Sequence, residues 1–149
     1  MFFIEVIIFI LLLAPMSLVL HELGHALTAS LYDAKDVQVI IGNGKRHVSF
    51  KLWKIKLKFH SFLFVNYQTK SSRQIPFTAK EKVHIAASGP FINGVLALIL
   101  SLIYYFVQTE IMLQLMITFN LWLAIVNCIP FKIGQKQSDG YTIYKLIKK

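Results

Sequence analysis

His21-Glu22-Leu23-Gly24-His25 places two imidazoles four residues apart, with a carboxylate beside the first. On a helix, positions i and i+4 lie on one face. Two imidazoles so placed bind one divalent ion, and the Glu between them is positioned as a general base toward water. Zinc is the ion that this spacing suits. A catalytic zinc takes three protein ligands and keeps one position open. A third ligand therefore has to come from elsewhere, and His47, His60, His84 and the acidic residues are the candidates.

The setting of the motif strengthens this reading. His21, Glu22 and His25 sit in an apolar run from Phe2 to about Leu31, whose only other ionisable group is Glu5. Two more runs, about 83–107 and 111–129, are also long enough to cross a bilayer, which takes about 20 residues. Across the 149 residues, 56% are hydrophobic and only 15% charged, against about a quarter charged in a soluble domain. Ionisable groups inside such a run are costly and are functional by default. No Lys or Arg precedes Lys35, so the first run lacks the basic start of a cleaved signal peptide. Pro15 predicts a kink in the first span, and Pro130 stops the third.

The net charge of +9 is distributed as a topology signal. Eleven of the 16 Lys and Arg residues lie between the first and second spans, none in the link around Gln108–Glu110, and five after the third span. The positive-inside rule puts the N-terminus outside and both the long loop and the C-terminus in the cytoplasm. This accounts for the charge without nucleic acid. His21 and His25 then lie near the cytoplasmic end of their span. Asp139, after the third span, and His84, at the start of the second, are on the same side. Glu110 is on the wrong side, Glu5 is at the wrong end, and Asp33 and Asp36 are too close along the chain to fold back.

Between the first two spans, residues 37–68 read as a small cytoplasmic antiparallel sheet. Val37–Ile41 is β-rich, and Gly42-Asn43-Gly44 is a turn signal. Ile55, Leu57 and Phe59 alternate with Lys54, Lys56 and Lys58, which is strand periodicity with one cationic face. A bulge or turn is expected near Trp53. The lysine face reads as solvated or as a contact for anionic headgroups. Gln68–Pro76 is polar and reads as a loop. Tyr141, Tyr144 and Ile147 fall at helical spacing in the tail. The lone cysteine, Cys128, excludes an internal disulfide and reads as a small buried hydrophobe.

Two further stretches complete the pattern. Ser88-Gly89-Pro90-Phe91-Ile92-Asn93 brings small residues and an Asn into the second span, where Gly89 and Gly94 permit close helix approach and Asn93 is a candidate oxyanion donor. Asn127-Cys128-Ile129-Pro130 ends the third span, with Asn127 a candidate for holding the substrate backbone. Together with His21–His25 and Ser138-Asp139-Gly140, these segments resemble the site-2 protease family of intramembrane metalloproteases. In that family an H-E-x-x-H helix is paired with a downstream N-x-x-P…D-G segment. The resemblance implies that Asp139, rather than His84, joins His21 and His25 around one catalytic Zn2+, with Glu22 as the base. Eight residues lie between Pro130 and Asp139, more than is common in the family's segment. The β insert resembles one that in this family lies beside the active site and can help hold an extended substrate.

The sequence therefore predicts a mainly α membrane protein of one domain, 1–149, with three transmembrane helices and a β insert. The resemblance implies that its activity is intramembrane proteolysis of transmembrane segments or hydrophobic peptide precursors. Its partners are such a substrate and the lipid bilayer, and its Lys- and Ile-rich composition suits a bacterial cell membrane. The alternative is an inactive relative that binds peptides or confers immunity.

Overall fold

The computed structural model describes residues 2–107 and 111–148, so the link expected at Gln108–Glu110 lies outside the described residues. The chain is mainly helical. The first span is α1 (Phe2–Ile8), a π-helical turn (Phe9–Leu13) and α2 (Ala14–Leu31). Pro15 cannot donate to the Leu11 carbonyl, and the wider π turn absorbs the missing bond: the Ala14 N–H reaches back to the Phe9 carbonyl.

Helix α3 (Ala79–Val107) starts four residues before the apolar run that marks its span in the sequence. A reciprocal cap explains the early start. The Glu81 N–H donates to Thr78 Oγ1 (3.3 Å), and the Thr78 N–H donates to the Glu81 carboxylate (2.6 Å). Helix α4 (Ile111–Cys128) follows. All three long helices are apolar and long enough to cross a bilayer. Their outward faces are largely apolar, with Phe91 70% and Phe106 81% exposed, a larger apolar surface than soluble monomers ordinarily leave uncovered. Cys128 is exposed at the end of α4, which corrects the expectation of a buried thiol: it is the last helical residue, where Gly140 meets its backbone carbonyl and leaves the side chain uncovered.

Strands β1 (Asp36–Leu52) and β2 (Ile55–Ser72) pair antiparallel around a tight turn at Trp53-Lys54, with Trp53 at φ 54. Gly42-Asn43-Gly44 does not end a strand, contrary to expectation. Gly42 (φ 85) and Gly44 (φ 129) bend β1 in mid-course, and the register shifts there. The bend lets β1 be used twice. Leu52–His47 pairs with Ile55–His60, while Val37–Ile41 is flanked by Ile55–Phe59 on one side and by Tyr67–Ser71 on the other. The last stretch of β2 is thus an edge, with one strand neighbour among the described residues.

That stretch also corrects the loop expected at Gln68–Pro76: β2 continues to Ser72. Its polar residues read as loop because its free edge borders a polar cavity rather than a core. The sheet is held against α2 by Ala26 and Ala29, which pack with Val37, Val39, Ile41 and Ile55. Alanines at these positions bring the strands close to the helix that carries the histidines.

After α4 the chain makes a small hairpin, β3 (Lys132–Ile133) and β4 (Lys136–Gln137), turning at Gly134 (φ 58). Helix α5 (Asp139–Ile147) follows, capped by Ser138, whose Oγ accepts from the Tyr141 N–H (3.0 Å) and donates to the Ile129 carbonyl (2.7 Å). The Ser138 N–H also bonds the Phe131 carbonyl (3.0 Å). The eight residues after Pro130 are thereby looped out, and the start of α5 is tied back to the end of α4. Gly140 makes this possible, since a Cβ there would collide with the Cys128 carbonyl.

Candidate metal centre

Gly24, inside the histidine motif, lets α3 approach the motif's helix closely. A Cβ on Gly24 would lie 2.7 Å from the Ser88 carbonyl. One on Gly89 would fall against both imidazoles, 2.7 Å from His21 Nε2. Gly94 is different: an added Cβ would meet only Ala124 at an ordinary 3.9 Å. Close approach is therefore needed at Gly24 and Gly89, and not at Gly94.

The crossing puts acceptors behind both rings. His21 Nδ1 donates to Asn93 Oδ1 (2.6 Å), and His25 Nδ1 donates to the Ile85 carbonyl (2.6 Å). The Asn93 orientation is set by its own partners. Its Nδ2 donates to Asn120 Oδ1 (2.8 Å) and to the Ser17 carbonyl (3.4 Å). Asn120 Nδ2 in turn donates to Ser17 Oγ (3.0 Å) and the Met116 carbonyl (2.8 Å), and Ser17 Oγ donates to the Leu13 carbonyl (3.1 Å). Asn93 and Asn120 are fully buried. With both polar ends committed, Asn93 offers no free donor to a substrate oxygen.

With the protons on Nδ1, the Nε2 lone pairs face one another across 3.2 Å. Asp139 closes the group, with Oδ2 3.1 Å from His21 Nε2 and Oδ1 3.4 Å from His25 Nε2. Three acceptors converging without a donor between them call for a cation. Their separations also fit: tetrahedral ligands at about 2.0–2.1 Å from zinc stand about 3.3 Å apart. The residues present suit zinc.

His84 is elsewhere, its Nδ1 hydrogen-bonded to the Tyr32 hydroxyl (2.5 Å) and its ring stacked on Tyr32. His47 and His60 lie together in the sheet, with His60 bonded to the Gly44 carbonyl. Among the described residues, His21, His25 and Asp139 are the one group of three that could hold a metal.

The trio opens on a cavity of about 1100 Å³. Glu22 lines it, its carboxylate accepting from Thr69 Oγ1 (2.7 Å), which also lies 2.8 Å from the Glu22 carbonyl. Asn127 lines it too, with Nδ2 donating to the Leu123 carbonyl. Four consecutive residues of β2, Asn66–Thr69, border the cavity, so it meets the strand's backbone edge rather than one of its faces. Tyr67 adds a buried hydroxyl with no partner among the described residues, and burial raises its pKa. Sequence reasoning missed Ser17, Thr69 and Asn120. A serine and an asparagine inside apolar spans were the readable signal for two of them; Thr69 gave none.

A sequence profile for Peptidase family M50 matches residues 7–112, which is 106 of the 149 residues. The chain belongs to peptidase family M50, the site-2 protease family. The M50 match covers His21, Glu22, His25 and Asn93 and stops before Asn127 and Asp139. M50 proteins are zinc metalloproteases, in keeping with the donor set. Three apolar helices and M50 membership together point to an integral membrane protein. No curated protein matches the chain.

Proposed function

We propose that this M50 protein is an intramembrane zinc endopeptidase acting on transmembrane segments or hydrophobic peptide precursors. The observation that carries this reading is the convergence of His21 Nε2, His25 Nε2 and the Asp139 carboxylate on a cavity that Glu22 also lines. His21, His25 and Asp139 would hold the ion, and a bound zinc supplies Lewis acidity to the carbonyl under attack and to the attacking water.

The chain's own groups do the rest. Glu22, steadied by Thr69, takes a proton from the attacking water and delivers it to the leaving amine. Asn93 and Ile85 fix the imidazole tautomers, so Asn93 acts as a positioning residue rather than an oxyanion donor. A helical substrate hides its peptide groups in its own hydrogen bonds and has to unwind before attack. The free edge at Tyr67–Ser71 receives the unwound segment by strand pairing, and Asn127, which lines the same cavity, holds its backbone. The charge distribution supports a mouth on the cytoplasmic side.

Glu22→Gln separates an enzyme from a peptide-binding relative. Purified protein is assayed for zinc and for cleavage of model transmembrane substrates in liposomes. The expected result is one zinc per chain in both forms, with cleavage in the native form alone. Wild-type protein that binds no zinc, or a Glu22→Gln form that still cleaves, would falsify the reading.

A further inference from the structure

The cavity over the metal centre has a one-sided charge. Lys82 at the start of α3, Lys132 and Lys136 on the β3–β4 hairpin and Lys145 on α5 all line it. The four come from four elements, so no single helical or strand periodicity brings them together. All are exposed, and none has an acidic partner among the described residues. Elsewhere among the described residues Arg73 pairs with Glu81 at 2.6 Å and Lys54 lies 3.8 Å from Asp33, while the remaining surface cations have no acidic partner; the cavity set differs in converging on one space. The carboxylates that line the cavity, Glu22 and Asp139, are engaged by Thr69 and by the imidazoles.

We propose that this lysine cluster selects substrates that carry an acidic residue or a free carboxylate beside the segment to be cleaved. The proposal rests on the protease reading above and names its substrate class. Ordinary membrane proteins carry Lys and Arg on their cytoplasmic flanks. Four unpaired lysines repel such a flank, so the cluster rejects the common case as well as attracting the rare one. The cavity lining also carries side-chain amides, Asn66, Gln68, Gln135 and Gln137, which suit a peptide backbone. A lipid headgroup in this place would compete with the substrate for the catalytic cavity, which favours a peptide as the occupant.

The test uses full-length, zinc-loaded Glu22→Gln protein in neutral detergent. The probes are fluorescent peptides with one hydrophobic core and a flank of three Glu, three Gln or three Lys. The Glu-flanked peptide is expected to bind at least tenfold more tightly than the Gln-flanked one, and the Lys-flanked one most weakly. Changing Lys82, Lys132, Lys136 and Lys145 together to Gln should erase the difference. The same change at Lys45, Lys51, Lys56 and Lys58 removes equal charge away from the cavity and should leave it intact. Full zinc content in each variant shows that the site is still folded.

Equal binding of the three peptides would overturn the proposal. So would an equal loss from both sets of substitutions, which would make the preference one of net charge. A cavity-lysine variant that keeps the peptide preference but no longer binds phosphatidylglycerol vesicles would assign the cluster to lipid. Cleavage by the native protein is measured in parallel. If no peptide is hydrolysed the protease reading fails, whichever peptide binds best.

Discussion

The two sides of the imidazole pair are built on opposite principles. Behind the rings, Asn93, Asn120 and Ser17 form a buried chain in which each side-chain polar group has a partner, ending on backbone carbonyls. In front of them, Gln68, Gln135 and four lysines line the cavity, exposed and with no side-chain hydrogen-bond partner among the described residues. In an apolar span an unsatisfied amide has no water to turn to, so a polar relay there is complete or strongly destabilising. Such completeness fixes the metal-facing nitrogens. The open side gives up fixed geometry and can adapt to a changing partner.

Four substitutions sharpen this contrast. Gly89→Ala should have the largest effect, because its Cβ would push on both imidazoles: zinc content should fall below a tenth of the native value while far-UV circular dichroism keeps its helical signal. Asn93→Leu should weaken zinc about 10–100-fold in a chelator competition, the range expected when the partner behind a ligand is lost. An unchanged affinity would mean that the relay does not orient His21. Thr69→Val tests the cavity side. Losing a hydrogen bond to a charged group, about 1.5 kcal/mol at the low end, should slow cleavage roughly tenfold with zinc content unchanged. Gly94→Ala should be the mildest. It fits the available space and restricts the unfolded chain, so stability should rise by about 0.5–1 kcal/mol, read as a small increase in Tm. A loss of zinc in that variant would show that the two glycines are not as different as their surroundings imply.

The sequence made local spacing legible. His21, Glu22 and His25 needed only helical periodicity, and the three apolar spans needed only length. Asp139 lies 118 residues from His21, and its place became readable through order along the chain and a shared membrane side. The features that stayed hidden depend on pairing across distance. Thr69 sits in a stretch whose polar composition says loop; it becomes a strand only because Val37–Ile41 is there to pair with it. The double use of β1 follows from a bend at two glycines, and the residues alone read equally well as a turn. Asn93 was noticed as polar, but its role depended on which of its atoms faced a ring and which faced Asn120. The early start of α3 was written in Thr78-Ala79-Lys80-Glu81, a capping pattern overshadowed by the apolar run that follows it.

Pro90 sits within α3 one residue after the glycine that touches both imidazoles. Having no N–H, it leaves the Ala86 carbonyl without its helical donor, and Ala86 is part of the cavity wall. The helix therefore runs one backbone hydrogen bond short in the turn that meets the imidazoles, and the packing of α3 on α2 has to hold that turn in place.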